Sequence, residues 1–157
     1  MKSLLPVLVL SLSAGPALAL SCMRPDPVRS YQQAAEAEEA YLVVTGTLSH
    51  DPTSVPDRHS PEQPVSFPAT LTGAFLKDDR FHGAFAAPVT VNVDCVMMTC
   101  GQMPEPSQEV LVYLQESPDG YQLNVGPCGG WMFTDPSDED IDRVARCHAS
   151  GDCQIVD

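Results

Sequence analysis

Six cysteines, four histidines and a run of alternating aspartates are the residues of this 157-residue chain whose types could support chemistry. Cysteine with histidine suggests zinc, but a structural zinc site draws its ligands from short paired spacings. His50, His59, His82 and His148 show none. Asp138, Asp140 and Asp142 alternate as in a calcium loop, yet Arg143 stands where the loop needs glycine and Ala149 where a bidentate glutamate should close the shell. These carboxylates read instead as the first turn of a helix, where negative charge complements the helix dipole. The chain has no Gly-x-Ser-x-Gly elbow, no phosphate-cradling glycine loop and no His-Glu-x-x-His. The expectation is a protein with no metal, no cofactor and no enzymatic activity, in which Trp131 packs rather than serving as a ligand platform. The cysteines then have a structural use: an even number in an oxidising compartment makes three disulfides the default and leaves their connectivity open.

That compartment is indicated by the first residues. Lys2 is a charged start, Leu4 to Leu12 an apolar run, and Ala17-Leu18-Ala19 a small-residue cleavage site, so residues 1–19 read as a secretory signal and the mature chain begins at Leu20. The apolar run is shorter than the ~20 residues a spanning helix requires, which predicts no transmembrane segment and a secreted or periplasmic protein. The alternative is a lipoprotein anchored through Cys22, the first cysteine past the run, although Ala19 stands where leucine is usual before such a cysteine. A net charge of −13 speaks against nucleic acid or an anionic membrane surface as partner. Residues 20–157 have the length of one domain with a modest core.

The elements that must position these residues centre on Cys100 to Trp131. Glu109 to Leu114 is rich in β-branched and aromatic residues and Tyr121 to Val125 alternates in period two. Ser117-Pro118-Asp119-Gly120 between them predicts an antiparallel hairpin. Upstream, Ser30 to Tyr41 reads as a short helix with Ser30 as N-cap, and Leu42 to Leu48 as a strand in which Gly46 marks a bulge or sharp bend. His50 to Pro64 is a proline-rich surface excursion. Val65 to Phe75 and Val89 to Val96 are two further strands, separated by a loop at Asp78 to Gly83. The last helix opens at Asp135-Pro136, with Asp135 as N-cap and Ile141, Val144 and Ala145 facing inward. Cys147 to Cys153 follows as a short loop that a local disulfide could close. Five short strands with helices near the two ends suit a small closed barrel.

Taken in order, Cys22-x-x-Pro25-Asp26-Pro27, the helix, the Val-rich strand with Gly46, Cys100-Gly101, the Asp119-Gly120 hairpin, Cys128 and Trp131 resemble the N-terminal domain of the tissue inhibitors of metalloproteinases, the netrin-like module, and most closely its exported bacterial relatives. The resemblance covers most of the mature chain and rests on order and spacing. It implies a mainly β fold, an OB-type five-stranded closed β-barrel with flanking short helices. It also implies a bridge from Cys22 to Cys128, with Cys95 to Cys100 and Cys147 to Cys153 left as local pairs by proximity. The inhibitors chelate a protease's zinc through the amino group and carbonyl of the first cysteine in an N-terminal Cys-x-Cys. Cys22 matches the second of these cysteines; Leu20 takes the place of the first and Ser21 the residue between.

Two function classes follow. One is an exported protein-binding module whose ridge Leu20, Ser21, Cys22, Met23 and Arg24 meets a protein partner such as a metalloprotease, with zinc binding weak or absent because the chelating cysteine is missing. The other is a cell-envelope structural or adaptor domain without inhibitory activity.

Overall fold

The computed structural model describes residues 22–56, 64–96 and 99–156. Residues 1–19, read above as a secretory signal, Leu20 and Ser21 of the expected ridge, and His59 lie outside the described residues. The architecture is mainly β: α1 (Pro27–Glu36), β1 (Tyr41–His50), a short 3-10 turn at Pro52–Ser54, β2 (Val65–Lys77), β3 (Arg80–Val93), β4 (Cys95–Val96), β5 (Thr99–Cys100), β6 (Glu109–Ser117), β7 (Gly120–Val125), β8 (Met132–Thr134) and α2 (Asp138–Ser150). Six strands form one sheet in the order β1-β2-β3-β7-β6-β8, and β1 also pairs with β6. All of these pairings are antiparallel except β3 with β7, which is parallel.

Alternation along the strands divides the apolar residues between two cores. Val44, Phe67, Leu71, Val91, Val112 and Leu123 fill the interior of the sheet. Val43, Leu111 and Tyr113 point the other way and pack with Val28 of α1 and Val144 and Ala145 of α2. This explains the unbroken apolar run Val110 to Leu114: β6 is buried on both faces, one under its own sheet and one under the helices. Pro88 sits just before Val89, where β3 acquires β7 as a second neighbour, so its missing N–H lies on an edge.

The expected hairpin is present, with Gln115 opposite Gln122 and Ser117 opposite Gly120, whose φ of 114° requires glycine. Several boundaries differ from expectation. Helix α1 begins at Pro27 under an Asp26 cap and ends at Glu36, because the Asp26 carboxylate accepts from Val28 and Arg29 N–H at 2.9 and 3.1 Å. Ser30 is therefore a buried first-turn residue, not the N-cap. Strand β3 starts at Arg80, since the reversal needs only Asp78 and Asp79, with Asp78 at φ 58°. Val89 to Val96 is split by Asp94 into the end of β3 and the separate β4–β5 hairpin. Helix α2 is capped by Ser137 in a reciprocal box with Asp140, while Asp135 occupies the left-handed region at φ 49°. Gly46 marks no bulge: it pairs directly with Gly73, and a Cβ on either would lie 2.2 or 2.0 Å from the opposite backbone. The two glycines let β1 and β2 press together at this pair.

Candidate partner-binding ridge

All three disulfides are those expected: Cys22–Cys128, Cys95–Cys100 and Cys147–Cys153. The first joins the start of the described chain to the exit of β7 across 106 residues. Gly129 and Gly130, at φ 69° and 105°, turn the chain just beyond Cys128, and Pro25 packs where a Gly129 side chain would begin, its Cγ 3.3 Å from the Cβ position. The N-terminal segment can therefore lie close against the turn. Met23 is 70% exposed and Arg24 is exposed beside it. Cys22, Arg24, Gln33 and Gly130 line an open depression of about 230 Å³. The Met23 sulfur lies against the Arg29 guanidinium.

The β4–β5 hairpin is fixed to the same region. Asp94 N–H donates to the Val125 carbonyl at 2.9 Å, Gly101 N–H donates to the Asp94 carbonyl at 3.0 Å, and Gly101 lies too close to Val125 for any side chain. The Cys95–Cys100 bond closes this hairpin, and Val96 at its tip is exposed. Thus the residues from Val125 to Cys128 carry both the N-terminal segment and the disulfide hairpin.

Beneath the ridge lies a polar hub that reasoning from sequence missed. Asp26, 3% exposed, accepts Arg143 Nη1 at 2.9 Å and Val156 N–H at 3.3 Å on the oxygen that does not cap α1. Arg143 also donates to the Gln154 carbonyl at 3.0 Å and to Asp140 at 2.7 Å. Burial works to raise the Asp26 pKa, but hydrogen bonds from Arg29, Arg143 and Val156 outweigh it and hold the carboxyl below its ordinary value. Tyr113 donates its hydroxyl to the Pro27 carbonyl at 2.6 Å, and burial pushes that phenol well above its usual pKa. One carboxylate thereby ties the ridge, both helices and the C-terminal residues together. The dipeptide Asp26-Pro27, a cap followed by proline at the first helical position, was the signal that would have located it. Trp131 stacks on Tyr41 at 4.9 Å and meets Tyr113 edge-on, the expected packing contacts, yet its half-buried ring also lines an open groove.

Among the described residues no group of three or more His, Cys, Asp or Glu side chains converges as a metal site. Nor is any described helix long and apolar enough to cross a membrane. The sulfur of Cys22, which a lipid anchor would require, is bonded to Cys128. Compared with known proteins, the chain matches no family model, no curated protein and no solved structure.

Proposed function

We propose that this chain is an exported, disulfide-bonded protein-binding module, built on an OB-type barrel similar to the inhibitory domain of the tissue inhibitors of metalloproteinases. The observation that carries the reading is the Cys22–Cys128 crosslink, which holds the exposed Met23-Arg24 segment on the exit of β7. The barrel reading is supported by the pairing circuit β1-β2-β3-β7-β6, which returns to β1 through the β1–β6 ladder. Three disulfides suit a secreted or periplasmic protein.

On this reading the ridge from Leu20 to Arg24 meets the partner, and a metalloprotease is the partner its position favours. Zinc affinity is low, because Leu20 has no disulfide to fix it. Ordering each free residue costs roughly 1–2 kcal/mol, and each ~1.4 kcal/mol is tenfold in binding, so several decades separate this wedge from a preorganised one. The test is inhibition of a panel of zinc proteases by the mature protein, with and without acetylation of its N-terminus. Weak inhibition that acetylation removes is expected. Strong inhibition that survives acetylation would place the active surface elsewhere, and no inhibition of any protease would favour the adaptor class.

A further inference from the structure

A row of neutral polar side chains crosses the outside of the sheet. Ser66 on β2 stands opposite Asn92 on β3, and Asn92 stands opposite Asn124 on β7. Ser66 donates to the Asn92 oxygen at 2.7 Å, and the Asn92 amide donates to Asn124 at 3.0 Å and Gln122 at 3.3 Å. Asn124 passes the chain to Gln115 on β6 at 3.2 Å, and Gln122 passes it to Ser117 at 3.3 Å. The row spans four adjacent strands, roughly 14 Å at the usual strand spacing.

Each group in the row keeps unused capacity. A side-chain amide offers two N–H donors and a carbonyl with two lone pairs. Within the network Asn124 and Gln122 each donate once and accept once, leaving one donor and one lone pair apiece. These spare groups are held in fixed directions by their neighbours, and both residues are only half-buried. Asn124 also forms part of a second feature, a groove of about 450 Å³ at the seam where β7 leaves β6 and β8 replaces it. Trp131, Met103 and Met132 give that groove apolar surface, and Gln102 and Gln108 give it further amides. Among the described residues Glu105 is its only charged lining residue, and the row itself has none.

The chemistry of the ligand follows from what this surface lacks. A chain of net charge −13 repels anionic ligands, and a cationic ligand would be drawn to the many carboxylates elsewhere. A purely apolar ligand would leave the amides unpaired, at a cost. Dense, uncharged hydroxyl groups on a partly apolar ring satisfy both the oriented amides and the tryptophan-methionine surface. We infer that the amide row and the groove joined to it at Asn124 bind a neutral oligosaccharide, extended across β7 and β3 toward Ser66.

The experiment is NMR titration of the mature, disulfide-intact protein with soluble neutral oligomers of glucose, of mannose and of N-acetylglucosamine, and with oligogalacturonate as the anionic comparison. At least one neutral oligomer should bind at millimolar concentration or below and shift the side-chain amides of Asn92, Asn124 and Gln122; oligogalacturonate should not. Gln122→Ala and Asn124→Ala should each weaken binding by about tenfold, the loss of a hydrogen bond or two, with the melting temperature followed as a check on folding. Absence of binding by all three neutral series, equal binding by the anionic one, or undiminished affinity in both folded variants would overturn the assignment. The ridge takes no part in this experiment, so its outcome is independent of the protease assay.

Discussion

Replacing Arg143 by methionine should be among the most damaging single substitutions that leave the disulfides intact. The change keeps much of the side-chain volume but deletes the donors to Asp26, Asp140 and the Gln154 carbonyl. Asp140 is partly exposed and can turn to water, whereas Asp26 is left ionised and buried. Removing one partner of a buried pair costs about 3–5 kcal/mol. The backbone N–H groups of Val28, Arg29 and Val156 still point at Asp26, which argues for the lower end, about 3 kcal/mol. With a urea slope of about 2 kcal/mol per molar, the unfolding midpoint should fall by about 1.5 M. Asp26→Asn on the Arg143→Met background should recover part of this loss, because a neutral amide no longer needs the cation. The pH dependence has a definite sign. Asp26 has a folded pKa below its ordinary 3.8, so its contribution is complete above that value and disappears as pH falls through the folded pKa. Wild type and Asp26→Asn should therefore converge in acid. A midpoint shift under about 0.5 M for Arg143→Met, or a constant gap between wild type and Asp26→Asn down to the lowest workable pH, would refute this account of the hub.

Opening the disulfides singly should give unequal losses: in the chain-entropy model the 106-residue Cys22–Cys128 loop is worth about 4.8 kcal/mol, against about 2 kcal/mol for the loops of 5 and 6 residues, as paired Cys→Ala variants in urea would measure. Gly46→Ala should lower stability by about 1–3 kcal/mol or more, since its methyl would strike the Thr72 carbonyl at 2.2 Å; a melting temperature equal to wild type would show that β1 and β2 can separate at no cost. On the reading that the chain is exported, its intact mass after processing should correspond to a start at Leu20 with six hydrogens missing and no added lipid; a titratable thiol in the denatured, unreduced protein would contradict the closed disulfide set.

How much of this was legible in the sequence depended on whether the deciding interaction was local. The β6–β7 hairpin was, because Asp119-Gly120 fixes the reversal and the strands beside it alternate. The first half of β3 was not. Arg80-Phe81-His82-Gly83 has little strand propensity, and it is extended because Phe75 to Lys77 lie opposite. Ser30 and Asp135 both have good capping side chains, but each lost to a neighbour with a second partner: Asp26 has Arg143, and Ser137 has the reciprocal carboxylate of Asp140. On the ridge, the cysteines alone left the connectivity open and only the resemblance to the inhibitor domain implied Cys22 with Cys128, whereas the Asp26–Arg143 contact spans 117 residues and has no local pattern.

The same distinction explains why the amide row was invisible from the sequence. Gln122 and Asn124 are what any period-two strand places on its outer face, and Ser66, Asn92 and Gln115 are unremarkable singly. They become one surface only because β3 and β7 run parallel in a register that sets Asn92 against Asn124, while the hairpin sets Gln115 against Gln122. A slip of one residue in either pairing would turn these amides into the interior and Leu123 and Val125 out to water. Burial of Leu123 and Val125 therefore fixes the register that aligns the row. The amide row of the candidate oligosaccharide surface is held in place by the same apolar contacts that stabilise the sheet, without any charged residue of its own.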